Sequence, residues 1–230
     1  MLTIIIGNSG AGKDFLFRSL LNNPEINVLP IISSTNRPMR NGEVNHREYN
    51  FYSDKDLNIL RNTPNYFLEE RCYKTIDTNG KETNWYYCSP RVNPKNTNYL
   101  TILDCAGALT YIKEYGIKNI EVIYVTASIE TRKQRVFLRD TTNYNADEWN
   151  RRLQTELDTD EKICVINNIL QQEQKNVHIF NNDKNSIEEA KENFKDLYIN
   201  ILSNNTIDIS KSVLQKDDIY ERWKGKIWIL

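Results

Sequence analysis

The sequence predicts an α/β protein in which a parallel sheet carries helices on both faces, giving three layers. Short apolar segments alternate with helical segments along most of the 230 residues, an order typical of strands joined through helices. The apolar segments, each about as long as a buried strand, are residues 2–6, 28–32, 99–103, 122–125 and 177–180. The helical segments are residues 14–21, 106–115, 129–139, 146–171 and 186–202. A chain of this length can bury one full core of this kind.

The alternation is interrupted between residue 33 and about residue 90. Short strand-like segments surround one short helix there, at residues 48–52, 67–75 and 83–88 for the strands and 54–61 for the helix. The pair Asn79-Gly80 favours a tight hairpin turn between the last two strands, because both residues tolerate positive φ. We therefore expect a small mixed subdomain inserted into the parallel core.

Composition excludes several classes of partner. The 30 basic and 31 acidic residues leave no basic excess for nucleic acid or an anionic membrane surface. No apolar run approaches the roughly 20 residues of a membrane span. The first six residues have neither the basic start nor the cleavage site of a signal peptide, and we interpret them as a buried strand.

The sulfur and imidazole side chains indicate neither a disulfide framework nor a metal centre. None of the 4 cysteines is paired at metal-ligand spacing, and 2 histidines are too few for a histidine-rich site. We expect reduced thiols and a cytoplasmic protein.

A phosphate-binding loop follows the first apolar segment and opens the first helix. Its G-x-x-x-x-G-K spacing lets successive backbone N–H groups turn inward around phosphate oxygens, and the helix N-terminus favours anions. The lysine would reach the outer phosphates of a nucleotide. The pattern indicates a P-loop NTPase core that binds ATP. The loop consists of Gly7, Asn8, Ser9, Gly10, Ala11, Gly12, Lys13 and Asp14.

Asp14 stands where such loops usually carry a Ser or Thr whose hydroxyl binds Mg²⁺. A carboxylate is also a hard oxygen ligand, and it would hold Mg²⁺ directly or through water. The other interpretation is that Asp14 caps the helix and repels phosphate. The loop therefore predicts nucleotide binding, with catalysis left open.

Residues 33–51, SSTNRPMRNGEVNHREYNF, resemble the acceptor-site segment of the guanylate kinase family. The family pattern is close to S-x-T-T-R-x-x-R-x-G-E-x-x-G-x-x-Y-x-F, and the resemblance extends over about residues 2–200. Independently of it, Arg37 and Arg40 beside a turn can clamp a phosphate monoester bidentately, and Tyr49 can add a hydroxyl. The resemblance implies an enzyme that uses Mg²⁺ and ATP to phosphorylate GMP or dGMP.

Further acceptor-site residues are implied by the resemblance. Ser33 would contact O6 of the guanine, and Ser89 would contact the base. Glu69 would accept hydrogen bonds from the guanine N1–H and amino group, which suits an ionised carboxylate because it only accepts. Tyr87 would contact the acceptor phosphate.

The acids that follow the next core strand are incomplete relative to the family. By resemblance Asp104 would hold Mg²⁺ or its water shell. The second acid, which helps to recognise guanine, is replaced by Ala106. A site that lacks one hydrogen-bond partner discriminates less between bases, so strict GMP specificity is open.

The resemblance also implies a lid whose arginines assist phosphoryl transfer. Arg135 would lie near ATP, and Arg139 and Arg152 would fold over the transferred group, whose charge spreads over its equatorial oxygens. The catalytic set is then Lys13, Arg37, Arg139 and Arg152. The implied divisions are a core at residues 1–32, 93–135 and 153–204, an acceptor subdomain at 33–92, a lid at 136–152 and an extension at 205–230.

Other functions on the same fold stay open. The ribose 1,5-bisphosphate phosphokinase family resembles this chain in its Gly-Lys-Asp loop but lacks the double-arginine segment. A deoxynucleotide kinase with relaxed base choice and a non-catalytic guanylate-kinase-like binding module are further alternatives. We expect small-molecule nucleotides as partners, neither nucleic acid nor membrane, and leave a homodimer open.

Overall fold

The computed structural model describes residues 1–39, 42–76, 82–94, 97–139, 146–156, 159–183 and 186–204. The predicted turn at Asn79-Gly80 and the extension at residues 205–230 lie outside these ranges. The described strands are β1 (Leu2–Ile6), β2 (Leu29–Ile31), β3 (Ser34–Thr35), β4 (Asn50–Phe51), β5 (Phe67–Ile76), β6 (Glu82–Pro90), β7 (Tyr99–Ile102), β8 (Ile120–Thr126) and β9 (His178–Asn181). The described α-helices are α1 (Lys13–Leu21), α2 (Asp54–Arg61), α3 (Cys105–Tyr115), α4 (Ile129–Arg139), α5 (Ala146–Glu156), α6 (Thr159–Leu170) and α7 (Ile187–Asn204).

The core is a five-stranded sheet in the order β2, β7, β1, β8, β9. All of its neighbouring strands pair in parallel. The central strand β1 is buried along its whole length, as expected for a strand that is paired on both edges and covered on both faces. The predicted α/β fold with a parallel sheet is confirmed.

Side chains alternate between two apolar layers on the two faces of this sheet. Ile5 points into a cluster with helices α1 and α7, which contribute Phe17 and Phe194. Ile4 and Ile6 point into the cluster on the opposite face, with helices α3 and α6; Tyr111 of α3 belongs to this cluster. This alternation follows from the two-residue period of a strand.

A second sheet is formed by the strands between residues 34 and 90, in the order β4, β3, β6, β5. β3 pairs in parallel with β4 and antiparallel with β6, while β5 and β6 form a long antiparallel pair. Helix α2 begins after Ser53, whose side chain accepts a hydrogen bond from the backbone N–H of Asp56. The domain boundaries assigned from the sequence stay predictions.

One strand differs from the sequence-based expectation. The strand expected at residues 48–52 is shorter, because Glu48 lies in a turn where its carboxylate accepts a hydrogen bond from the backbone N–H of Val44 at 2.8 Å. The helix expected at residues 146–171 is described as α5 and α6, on either side of residues 157–158, which lie outside the described ranges. No helix in the described part of the chain has both the length and the apolar character needed to cross a membrane.

Candidate active site

The phosphate loop lies at the carboxyl end of β1, wedged between α4 and the segment that follows β9. Gly10 has φ +80, and a Cβ there would lie 2.6 Å from the carbonyl oxygen of Arg132. Gly12 has φ +97, and a Cβ there would lie 2.5 Å from the side-chain amide nitrogen of Asn182. Only glycine fits these two positions without displacing a neighbour, because both combine left-handed backbone with close packing. Of these two residues, Gly12 is a fixed position of the sequence motif, so the motif reflects steric demand there.

Lys13 folds back across the loop. Its Nζ donates a hydrogen bond to the backbone oxygen of Asn8 at 3.1 Å. Burial lowers the pKa of Lys13, and the nearby carboxylates of Asp14 and Glu156 oppose that shift. The positive charges of Arg132 and Arg139 lower the pKa of Lys13 further.

A buried ion pair joins the loop to helices α4 and α5. The backbone N–H of Ser9 donates to Oε1 of Glu156 at 2.7 Å, and Nη1 of Arg132 donates to the other oxygen, Oε2, at 2.8 Å. The same Nη1 donates to the backbone oxygen of Ser9 at 3.2 Å, and the guanidinium lies 5.8 Å from the ring centre of Trp149. The last turn of α5 is thus held against the phosphate loop.

Arg135 lies beside the loop on its other side. Its Nη2 donates to the backbone oxygen of Asn182 at 2.8 Å, and the Asn182 side chain donates to the backbone oxygen of Ala11, also at 2.8 Å. The predicted ATP-side arginine is therefore next to the loop. The remaining predicted lid residue, Arg152, lies partly buried on α5.

Arg37 is held in a buried, paired state at the acceptor segment. Its two terminal nitrogens donate to the two carboxylate oxygens of Glu43 at 2.8 and 2.9 Å. Its guanidinium carbon lies 5.3 Å from the ring centres of both Tyr49 and Phe51. Burial alone would lower the pKa of Arg37, but the hydrogen bond to Glu43 raises it overall. The predicted partner Arg40 lies outside the described residues.

One face of the β5–β6 pair gathers the other predicted acceptor residues. Glu69 lies opposite Ser89 in the antiparallel register, and the Ser89 hydroxyl lies 2.8 Å from that of Ser33. Tyr87 lies two residues before Ser89 on the same face, and its ring centre is 5.6 Å from that of Tyr49. The residues assigned to base and phosphate from sequence therefore lie together.

Asp104 lies at the base end of this face, joined to Glu69 through Arg71. Nε of Arg71 donates to Oε1 of Glu69, and Nη1 of Arg71 pairs with Oδ2 of Asp104. The other oxygen of Asp104 accepts from the backbone N–H of Gly107 at 2.9 Å and caps α3. The assignment of Asp104 to a metal stays a prediction, but both of its oxygens already have donors.

The phosphate loop and the acceptor segment share one cavity. Asp14, exposed in the first turn of α1, lines it together with Ser33 and Tyr49. An ion pair of 3.1 Å between Arg18 of α1 and Glu48 joins the two regions beside it. No cluster of three or more acidic, histidine or cysteine side chains in the described ranges is arranged to hold a metal ion. The assignment of Asp14 to Mg²⁺ stays a prediction.

Comparison with known proteins decides the family. Residues 1–78 match the family model described as guanylate kinase. The guanylate kinase of Porphyromonas gingivalis is 32% identical over 146 residues, which cover 61% of this chain and 72% of that protein. This chain belongs to the guanylate kinase family.

Two further guanylate kinases resemble the chain. That of Clostridium tetani is 30% identical over 146 residues, covering 61% of this chain and 64% of its own length. The crystal structure of guanylate kinase from Anaplasma phagocytophilum superposes with a TM-score of 0.54 at 18% identity, over 96% of this chain and 95% of that one. The structural similarity to the Anaplasma phagocytophilum protein shows that the fold is the same. The assignment to this family of nucleoside monophosphate kinases comes from the sequence similarity.

Four residues that contact the site were not singled out from sequence. Asn182 follows the end of β9, and the carboxyl ends of parallel strands are where ligands bind in such sheets, so its position was a usable signal. Arg71, Arg132 and Glu156 gave no signal, because an arginine on a strand or a charged pair across two helices is usually an ordinary surface feature. Their partners are set by the tertiary fold of this guanylate kinase family member.

Proposed function

We propose that this chain transfers the γ-phosphoryl group of ATP to the phosphate of GMP or dGMP, giving the diphosphate. The observation that carries the proposal is the small cavity that Asp14 of the phosphate loop lines together with Ser33 and Tyr49 of the acceptor segment. Donor and acceptor phosphates bound at these two positions would meet without a relay through a protein nucleophile. An oxygen of the acceptor phosphate attacks the γ-phosphorus, the bond to the β-phosphate oxygen breaks, and ADP leaves.

On the donor side, the backbone N–H groups of residues 7–13 and the N-terminus of α1 bind the phosphates of ATP. Lys13 exchanges its hydrogen bond to Asn8 for a phosphate oxygen, which returns a buried cation to an anionic partner. Asp14 would hold Mg²⁺ directly or through water, and the ion would neutralise charge on the transferred group. Arg135 flanks the loop beside Ala11.

On the acceptor side, Arg37 holds the phosphate of the nucleotide together with Arg40 and Tyr49. Glu43 fixes the plane of the Arg37 guanidinium before substrate arrives, so little rotamer entropy is lost on binding. The base lies toward Ser33, Glu69 and Ser89 at the far end of the β5–β6 face.

The lid arginines act on the charge that develops during transfer. Arg139 and Arg152 would stabilise the equatorial oxygens of the phosphoryl group, an effect that is strong where water is excluded. Closure of the lid and acceptor subdomain would also keep water from accepting the phosphoryl group.

A coupled assay with ATP, Mg²⁺ and a panel of GMP, dGMP, dTMP and ribose 1,5-bisphosphate tests the proposal. We expect turnover with GMP and dGMP. Arg37→Ala should lower kcat/KM for GMP by at least roughly 100-fold, since two charge-assisted hydrogen bonds of about 1.5–3 kcal/mol each are at stake. ATP binding should be retained, as shown by thermal stabilisation of the variant by ATP.

Arg61→Ala is the matched control, because Arg61 pairs with Glu70 on the opposite face of the same subdomain. It should change kcat/KM by less than about threefold, the usual effect of an exposed ion pair. Absence of turnover with every acceptor would refute the kinase assignment. Turnover with dTMP or ribose 1,5-bisphosphate in place of GMP would refute the acceptor assignment alone.

A further inference from the structure

An arginine lies between the two carboxylates at the base end of the acceptor face. Arg71 and Glu69 are two residues apart on β5 and so point to the same side of the sheet. The Arg71 guanidinium donates to Glu69 through Nε and pairs with Asp104 through Nη1. The Arg71 and Glu69 side chains are 21% and 9% exposed, so this contact is largely shielded from water.

The two carboxylates differ in how many of their oxygens already accept a hydrogen bond from the protein. Asp104 receives Arg71 on one oxygen and the backbone N–H of Gly107 on the other. Glu69 receives Arg71 on Oε1, and its Oε2 has no hydrogen-bond donor among the residues that the structure describes. Glu69 is therefore the available acceptor, whereas the negative charge of Asp104 is already matched by a cation and a helix N-terminus.

Guanine offers two adjacent donors, its N1–H and its 2-amino group. A site that distinguishes guanine from hypoxanthine must have an acceptor for the 2-amino group, because the two bases share the N1–H and the O6. One free carboxylate oxygen satisfies the N1–H of either base. Adenine is excluded, because its unprotonated N1 would face that carboxylate.

We propose that Arg71 is a specificity-determining residue that masks Asp104 and makes the acceptor site accept 6-oxopurine monophosphates generally, inosine as well as guanosine. The proposal rests on the proposed function, since it concerns the base of the same acceptor nucleotide. Removing Arg71 exposes the Asp104 carboxylate as a second acceptor beside Glu69. The site would then prefer guanine, whose 2-amino group alone can use that acceptor.

The test compares kcat/KM for GMP with that for IMP in four proteins: wild type, Arg71→Ala, Asp104→Asn and the double variant. The wild-type ratio should lie within about tenfold, because Asp104, the second carboxylate near the base, is already paired with Arg71. Arg71→Ala should raise the ratio by roughly 10- to 100-fold, the range expected for one hydrogen bond to a charged group. Asp104→Asn keeps an oxygen to cap α3 and should change the wild-type ratio by less than about threefold.

The double variant separates specificity from structure. If Arg71 acts by masking Asp104, then Asp104→Asn in the Arg71→Ala background should return the ratio to near the wild-type value. A purely structural role for Arg71 would lower both kcat/KM values together and leave their ratio unchanged. Should Arg71→Ala fail to fold, Arg71→Met keeps the apolar stem of the side chain and serves the same comparison.

Three results would overturn this inference while leaving the proposed function intact. The first is a wild-type preference for GMP above about 1,000-fold, which would indicate a site whose polar groups are all matched to guanine. The second is a GMP-to-IMP ratio of kcat/KM that is unchanged in Arg71→Ala. The third is a ratio that is raised in Arg71→Ala and stays raised in the double variant. Failure of the proposed function is distinguishable from these, because the wild type would then turn over neither GMP nor IMP.

Discussion

Glu156 ties the last turn of α5 to the phosphate loop, and its loss should weaken the folded state measurably. Its carboxylate accepts from Ser9 and from Arg132, and the Arg132 and Glu156 side chains are only 6% and 15% exposed. Nε of Arg132 is buried and has no hydrogen-bond partner among the described residues. Glu156→Ala therefore leaves a buried guanidinium without its counter-charge.

The expected loss follows from the burial of this pair. Breaking a buried ion pair from one side costs about 3–5 kcal/mol, and the partial exposure of Glu156 places it near 3 kcal/mol. For a chain of this size each kcal/mol lowers Tm by about 2–4 °C, so Glu156→Ala should lower Tm by about 6–12 °C. Urea unfolding followed by circular dichroism measures the free energy of unfolding directly.

Two companion variants make the interpretation specific. Arg132→Met combined with Glu156→Met should recover most of the lost stability, because no buried charge remains. Glu188→Ala is the matched control, since Glu188 is 82% exposed and pairs with Lys191 on the same helix. It should cost less than about 1 kcal/mol. A loss below about 1 kcal/mol in Glu156→Ala, or a double variant no more stable than the single one, would refute the reasoning.

Three further predictions concern the metal, a thiol and a buried acid. Asp14→Ser should keep ATP binding and most activity in a coupled assay across a Mg²⁺ titration; complete loss would contradict a ligand-only role. Burial raises the pKa of Cys88 to about 12. Iodoacetamide at pH 8 should therefore label the exposed Cys72 and Cys164 and spare Cys88, as measured by mass spectrometry. Equal labelling of Cys88 and the exposed cysteines would contradict this. Burial alone would raise the pKa of Glu121, but hydrogen bonds from His178 and Lys175 lower it below 4.5 overall. The stability it contributes is present above pH 4.5 and lost as pH falls through the folded-state pKa, so Glu121→Gln should destabilise at pH 7 and much less at pH 3 in urea unfolding; an equal loss at both would contradict this.

The sequence alone determined the features whose physics is local. The buried strand β1 was predictable because a short run of apolar residues that ends at a glycine-rich loop is typical of a buried strand. The phosphate loop was predictable because its G-x-x-x-x-G-K spacing follows an apolar strand and opens a helix. Arg37 was singled out by the dense motif at residues 33–51, and Glu69 and Ser89 by resemblance to later segments of the family; their roles stay predictions.

The tertiary structure decided which side chains meet across long separations in the chain. Ser9 and Glu156 are 147 residues apart, and Ala11 and Asn182 are 171 apart, so neither contact has a local pattern. Arg71 gave no signal for the same reason, since its link between β5 and the start of α3 exists only once the second sheet packs beside the parallel core. Periodicity and steric need act within a few residues of sequence, whereas charge pairing and burial depend on what the folded chain brings within a few ångströms.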